Sequence, residues 1–180
     1  MKLSVRITAV LLAAWLVPAY ATVIGGPVVH NGHTYYLLDN KPWTEQEAEA
    51  VSLDGHLVTI NDATENTWVW DTFGSPNAGL FFGLNDVASE GTFAWTSGEA
   101  VTFTSWRGGE PNNVTGVNSP TGEHFGELAS DYQWNDVGTL HTWQAVVEVG
   151  PLAVPEPTGL ALLGLGLAGL GFSRFRSKRS

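Results

Sequence analysis

The chain has 180 residues, no cysteine and a formal net charge of -10, so disulfide scaffolds, zinc ribbons, thiol nucleophiles and iron–sulfur clusters are excluded. All eighteen acidic residues but only two basic ones, Lys41 and Arg107, lie within residues 22–157, which gives that segment a formal charge of -16. Such a surface repels phosphate, which excludes nucleic-acid binding, and it favours bound cations.

Residues 1–21 have the pattern of a secretory signal peptide. Two basic residues precede a short apolar run, and Ala19-Tyr20-Ala21 places small residues at a cleavage site. The alternative is an uncleaved anchor, but the run falls well short of the ~20 residues that span a bilayer. The pattern predicts export and a mature chain that begins near Thr22.

Residues 22–149 predict one domain in which a strand and two helices precede a group of antiparallel strands, an order typical of the α+β class. The expected strands are 34–38, 57–60, 80–84, 124–128, 134–137 and 143–149. The first helix is expected from Thr44 to Gly55 and the second from Asp62 to Phe73.

Both helices begin with the spacing of a capping box. In this motif the side chain of the capping residue accepts from the backbone N–H three positions later, and the side chain at that later position accepts from the N–H of the capping residue. Thr44 with Glu47 has this spacing, and so has Asp62 with Glu65. On the first helix the predicted buried positions are Ala48 and Val51, and the predicted solvated face is Glu45, Glu47 and Glu49.

From Asn85 onward the pattern loosens into a long Gly-, Asn- and Ser-rich stretch with aromatic residues at intervals. A long irregular segment inside a compact domain is usually functional. We assign Trp95, Trp106 and Trp134 to the core rather than to a ligand-stacking surface.

Glu110-Pro111-Asn112, Glu123 and Asn135-Asp136 supply three carboxylates and two amides within 27 positions. Oxygen ligands without paired histidines suit a hard cation, and calcium fits a bent loop better than magnesium does. Taken alone, Glu110-Pro111-Asn112 is more typical of a simple turn, and it is the combination with Glu123 and Asn135-Asp136 that favours metal binding.

After a linker at residues 150–153, residues 154–180 form a separate C-terminal segment. Val154-Pro155-Glu156-Pro157 precedes an apolar run from Gly159 to Phe172, and the chain ends in basic residues. This pattern fits a C-terminal transmembrane anchor or a sorting signal that is later cut.

Two families become recognisable in these motifs. Residues 33–149 resemble the C-type lectin-like domain through WTEQEAEAVSLDGHLVTI, FFGL, EGTFAWTSGEAVTFTSWRGGEPNN and Trp134-Asn135-Asp136, in family order and spacing. The tail is similar to the bacterial PEP-CTERM sorting signal. That resemblance implies a Gram-negative source, transient inner-membrane anchoring, an exosortase partner, and release to the cell surface or extracellular matrix.

The lectin resemblance implies one principal Ca²⁺ site and a cis peptide bond before Pro111. The implied metal ligands are Glu110, Asn112, Glu123, Asn135 and Asp136, and the implied sugar-binding residues are Glu110, Asn112, Glu123 and Asn135. Sugar hydroxyls would replace calcium waters, donate to the carboxylates and accept from the amide NH₂ groups. In the family the Glu-Pro-Asn order goes with mannose, fucose or N-acetylglucosamine type sugars.

The resemblance also implies an auxiliary calcium site formed by Asp86, Glu90, Asn113 and Glu123. Here the sequence departs from the family, because His124 and Asn113 each replace a usual Asp. The disulfide positions are occupied by Ala50 with Val147 and by Phe125 with Thr139. Because three of these four are apolar, we expect the core to close by packing.

The leading hypothesis is calcium-dependent binding of an exopolysaccharide or surface glycan by an exported bacterial protein. The alternative is a lectin-like structural or protein-binding module of the extracellular matrix that binds no sugar. We do not expect an enzyme, because His124 beside Glu123 has neither a nucleophile nor a residue to orient the imidazole.

Overall fold

The computed structural model of the protein describes residues 22–151. Within this range the chain forms two helices and eight strands. In chain order they are β1 Val23–His30, β2 His33–Pro42, α1 Trp43–Ser52, β3 His56–Leu57, α2 Ala63–Phe73, β4 Leu80–Asn85, β5 Ala94–Trp95, β6 Glu123–Leu128, β7 Trp134–Gly138 and β8 Thr142–Val149. The predicted α+β class is confirmed.

The strands form one sheet in the order β1-β2-β8-β4-β6-β7, with β3 added to β8 and β5 added to β4. All pairs are antiparallel except β4 with β8, which is parallel. The prediction of purely antiparallel pairing is therefore wrong at this junction. On its other edge β4 pairs with β6, and β6 in turn pairs with β7. The strands that carry Glu123 (β6) and Asn135-Asp136 (β7) are therefore neighbours.

Helix α1 starts without the predicted capping box. Pro42 precedes the first helical residue, and no side chain caps the helix. Because Pro42 takes the N-cap position and the helix begins at Trp43, Thr44 lies inside the first turn and cannot act as the cap. Glu47 instead accepts a hydrogen bond from the backbone N–H of Leu57 at 3.0 Å, which joins the helix to β3.

The faces of α1 also differ from the prediction. Its buried residues are Trp43, Gln46, Glu49 and Ala50, whereas Val51 is 60% exposed and Ala48 is exposed as well. Of the predicted acidic face, Glu45 is exposed, Glu47 is half-buried and Glu49 is buried. Glu49 is paired with Lys41 and with the Thr22 backbone N–H, partners that helical periodicity cannot reveal.

Helix α2 matches the sequence closely. Asp62 caps it by accepting from the N–H groups of Thr64 at 2.7 Å and Glu65 at 2.9 Å. In a capping box Glu65 would accept from the N–H of Asp62. It accepts instead from the N–H of the preceding residue, Asn61, at 2.8 Å. The helix ends at Phe73, as predicted.

Strand β1 was not predicted. Its sequence contains Gly25, Gly26 and Pro27, which weaken a strand pattern, and its register with β2 shifts twice around them. Proline is tolerated at sheet edges and bulges, and β1 lies at the edge of this sheet.

Buried side chains form two clusters, and Trp134 and Trp95 belong to one of them, with Trp106 packed against it. The second cluster contains Ala50, Phe125 and Val147, three of the positions where the family has disulfide cysteines. The prediction that the core closes there by apolar packing is confirmed.

Among residues 22–151, no helix is both long enough and apolar enough to cross a membrane. The predicted signal peptide at residues 1–21 and the predicted apolar anchor at residues 159–172 lie outside the described range.

Candidate functional site

The loop that carries Glu110 is fixed against the start of β7. The Arg107 N–H donates to the Trp134 carbonyl at 2.8 Å, and the Trp134 N–H donates to the Ser105 carbonyl at 2.7 Å. The Glu110 N–H donates to the Arg107 carbonyl at 2.9 Å. The Glu110–Pro111 bond is cis, as the resemblance implied. The predicted Glu-Pro-Asn segment therefore lies directly beside the strand that carries the predicted Asn135-Asp136 pair.

Asp136 is the buried anchor of this loop. Its side chain accepts the N–H of Asn112 at 3.0 Å and the N–H of Asn113 at 2.9 Å, and the residue is 1% exposed. Both carboxylate oxygens are thus held by the loop backbone. This arrangement places the backbone of Asn112 beside the Asp136 carboxylate.

Asn112 and Glu123 meet at a shared donor. The Val114 N–H lies 3.1 Å from Asn112 Oδ1 and 3.0 Å from Glu123 Oε2, so these two oxygens are at most about 6 Å apart. The Ser119 hydroxyl donates to Glu123 Oε1 at 3.3 Å. Ser119 was not predicted, since it is one serine in a polar loop with no motif around it.

Glu110 shows most directly that the site suits a cation. Its Oε2 atom is buried and has no hydrogen-bond partner. Burial raises the pKa of the Glu110 carboxyl, and the neighbouring Asp136 and then Glu123 raise it further, while Arg107 lowers it. A carboxylate whose charge is opposed by two neighbouring carboxylates, with one oxygen unpaired, belongs to a donor set that fits Ca²⁺.

Asn135 is oriented by a residue outside the motif. It lies opposite Glu127 in the β6–β7 pair, and its Nδ2 donates to Glu127 Oε2 at 3.4 Å, which leaves its Oδ1 free for a metal. Among the described contacts, none joins Asn135 to the other four predicted ligands. Burial raises the pKa of Glu127. Only the strand register reveals Glu127, because no sequence motif includes it.

The predicted auxiliary ligands divide into two groups. Asn113 Oδ1 accepts from the Glu123 N–H at 2.8 Å, so these two residues interact with each other. Asp86 and Glu90 instead meet His124, whose Nδ1 lies 3.0 Å from Asp86 Oδ1 and 3.5 Å from Glu90 Oε2. A nitrogen donor at this place does not fit the all-oxygen preference of calcium.

Comparison with known proteins identifies the family of this domain. The family model of the Lectin C-type domain matches residues 39–143. The chain belongs to the C-type lectin domain family. A second model, the PEP-CTERM protein-sorting motif, matches residues 153–177, so the lectin domain is followed by a C-terminal sorting signal.

Individual relatives are animal lectins and a lectin-like protein. The chain is 37% identical to the Alpha-N-acetylgalactosamine-specific lectin of Patiria pectinifera over 67% of this chain and 76% of that one. It is 32% identical to the Perlucin-like protein of Mytilus galloprovincialis over 57% of this chain and 66% of that one. The crystal structure of the C-type lectin CEL-I from Cucumaria echinata superposes with a TM-score of 0.61 at 26% identity, covering 69% of this chain and 94% of that one.

These matches confirm the predicted family and fold. The C-type lectin family and its fold are those of binding domains rather than of enzymes. The PEP-CTERM motif indicates export with a C-terminal sorting signal.

Proposed function

We propose that this lectin domain binds carbohydrate through one Ca²⁺ ion held by Glu110, Asn112, Glu123, Asn135 and Asp136. The observation that carries the proposal is the buried, unpaired Glu110 Oε2 beside Asp136 and Glu123. A cation at this place would neutralise the three carboxylates and satisfy that oxygen. The family membership supports the same conclusion.

Sugar recognition would follow from the chemistry of the same residues. Two adjacent hydroxyls would replace calcium waters, donate to Glu110 and Glu123, and accept from the amides of Asn112 and Asn135. The Glu-Pro-Asn order favours mannose, fucose or N-acetylglucosamine type sugars. The relative from Patiria pectinifera is named for N-acetylgalactosamine, so that sugar is the informative competitor in a test.

The cellular setting that we propose is the bacterial surface or extracellular matrix. The signal at residues 1–21 would direct export, and the segment 154–180 would hold the chain at the inner membrane until an exosortase processes it. The PEP-CTERM match at residues 153–177 supports this route.

A calorimetric titration of residues 22–153 with calcium, followed by mannose or N-acetylgalactosamine, tests the site. We expect calcium binding and a calcium-dependent mannose signal that are both lost in Glu110→Ala and Asn135→Ala. Glu45→Ala, which removes an exposed carboxylate from α1, should leave both signals unchanged.

A structural or protein-binding module without sugar recognition is the second candidate. It is favoured by the contacts of Asn112, Glu123 and Asp136 with loop N–H groups, which join the segments of this region through hydrogen bonds within the chain. Calcium binding without a response to any tested sugar would favour this candidate. Absence of calcium binding at millimolar concentration would refute the metal site itself.

A further inference from the structure

A second cluster of possible metal ligands joins the end of β4 to the start of β6. Asp86, Glu90 and His124 each direct one ligand atom to a common point, and these three atoms lie within 4.8 Å of one another. Asp86 is 2% exposed, His124 is half-buried, and the Glu90 side chain is 51% exposed. The cluster is therefore buried at Asp86 and open to solvent at Glu90.

The donor atoms of this cluster differ from those of the principal site. Calcium takes six to eight oxygen ligands, whereas this cluster presents one imidazole nitrogen and two carboxylates. Zinc binds His nitrogen at about 2.0–2.1 Å and carboxylate oxygen at about 2.0–2.2 Å, usually with tetrahedral geometry. We propose that Asp86, Glu90 and His124 form a Zn²⁺ site in the place where the family resemblance implied an auxiliary calcium.

The distances within the cluster agree with such an ion. Ligand atoms at those bond lengths around a tetrahedral centre are about 3.4 Å apart. His124 Nδ1 lies 3.0 Å from Asp86 Oδ1 and 3.5 Å from Glu90 Oε2, so these two separations need changes of only a few tenths of an ångström. The Asp86 and Glu90 ligand atoms lie within 4.8 Å of each other, and the half-exposed Glu90 side chain would move to close this third separation. Zinc would take the place of the Nδ1 proton, which leaves to solvent, and a water would complete the coordination.

Backbone contacts hold the Asp86 carboxylate in position. Asp86 Oδ2 accepts from the Gly91 N–H at 2.7 Å, so the other oxygen is directed to the imidazole. The Asp86 N–H donates to the His124 carbonyl at 3.1 Å, and the Ser89 N–H donates to the Asp86 carbonyl at 2.9 Å. Such fixing of metal ligands by their own hydrogen bonds lowers the rearrangement that binding requires.

The proposed zinc site is separate from the principal calcium site and does not depend on sugar binding. Asn113, which the resemblance assigned to the auxiliary site, binds the Glu123 N–H instead. The acidic surface of the chain would attract zinc and calcium alike. Selectivity would come from the imidazole, which zinc accepts readily and calcium does not.

The test is a zinc titration of the full chain, without a histidine tag and with calcium kept saturating. We expect one zinc ion per chain with a dissociation constant in the micromolar range. His124→Ala and Glu90→Gln should each weaken it at least about tenfold. Glu90 is half-exposed, so its variant keeps the test valid if the histidine variant does not fold. His141→Ala is the matched control and should bind zinc like the original chain.

Two further measurements make the outcome decisive. Co²⁺ in place of zinc should give the intense visible absorption of a four-coordinate ion, and His124→Ala should abolish it. His124→Asp should lose zinc and gain a second calcium. Undiminished zinc binding in both His124→Ala and Glu90→Gln would overturn the proposal, because the ion would then be adventitious. So would failure to bind zinc stoichiometrically in the presence of calcium.

Discussion

At the scale of single residues, Gly122 determines how the loop before β6 approaches the candidate ligands. Its φ is +106°, and a Cβ atom added there would lie 2.1 Å from Asn113 Oδ1. That oxygen is the acceptor for the Glu123 N–H. A side chain at Gly122 would therefore displace the contact that places Glu123, and it would also occupy a backbone conformation that favours glycine.

We predict that Gly122→Ala lowers the free energy of unfolding by about 1–3 kcal/mol and weakens calcium binding. Urea unfolding and calcium calorimetry measure the two effects. Gly116→Ala in the same loop is the control, because its added Cβ meets no atom within 4 Å. Equal behaviour of the two variants would show that the Asn113–Glu123 contact does not position the ligand.

At the scale of elements, Asn66 joins α2 to the strand that carries Asn135 and Asp136. The Trp134 indole N–H donates to Asn66 Oδ1 at 2.7 Å, and Asn66 Nδ2 donates to the Tyr132 carbonyl at 2.8 Å. Asn66 is 3% exposed and Trp134 is fully buried. Buried polar groups that lose their partners are costly, so this amide fixes both the helix and the start of β7.

We predict that Asn66→Ala destabilises the domain by about 1–3 kcal/mol, because it leaves the buried Trp134 indole N–H unpaired. The Tyr132 carbonyl would lose one donor but keep the Ser105 hydroxyl at 3.1 Å. Thr67→Ala tests the neighbouring exposed residue, whose hydroxyl bonds only within the helix, and should cost much less. Thermal unfolding followed by tryptophan fluorescence measures both variants. Similar losses for the two would contradict the assigned role of Asn66.

Glu47 joins α1 to β3 and titrates in an unusual environment. Burial raises the pKa of its carboxyl, although the hydrogen bond from the Leu57 N–H, the side chain of Thr96 and the charge of His56 lower it. A raised folded pKa means that Glu47 stabilises the fold fully below its unfolded pKa of about 4.3. This contribution is lost as the pH rises through the raised folded value.

We predict that Glu47→Gln becomes more stable relative to the original chain as the pH rises from 4 to neutrality. Glutamine keeps an oxygen for the Leu57 N–H but carries no charge. Urea unfolding at both pH values, without metal, measures the difference. Glu45→Gln on the exposed face of the same helix should show no comparable trend, and an equal trend there would refute the explanation by burial.

At the scale of the whole molecule, the sequence predicted what local chemistry determines and missed what tertiary contacts determine. Asp62 caps α2 through the N–H groups of Thr64 and Glu65, which follow it closely in the chain. The sequence alone therefore predicts its role. Glu49 is buried because Lys41 and Thr22 reach it from other segments, and that contact has no periodic signature. The contact between Glu127 and Asn135 likewise depends on the pairing of β6 with β7, which no sequence motif indicates.

At the same scale, the charge of the domain explains why a bound cation would stabilise it. Residues 22–157 carry a formal charge of -16, and no disulfide crosslinks the chain. Asp136 and Glu123 both raise the pKa of the Glu110 carboxyl, and Arg107 offsets them only in part. Like charges in a partly buried cluster oppose folding. A bound divalent ion would remove that repulsion and tie the Glu110 loop, β6 and β7 together, which are otherwise joined by hydrogen bonds.

We therefore predict that calcium at 100 times its dissociation constant stabilises the domain by roughly 2.7 kcal/mol, a rise of Tm of about 10 °C. Scanning calorimetry with calcium and with a chelator measures it. Sodium chloride at matched ionic strength separates specific binding from screening of the overall charge, because screening acts on every exposed acid. Glu110→Ala should respond to calcium only as much as to sodium. If the original chain also gains no more from calcium than from sodium, the acidic cluster is a feature of solubility rather than a metal site.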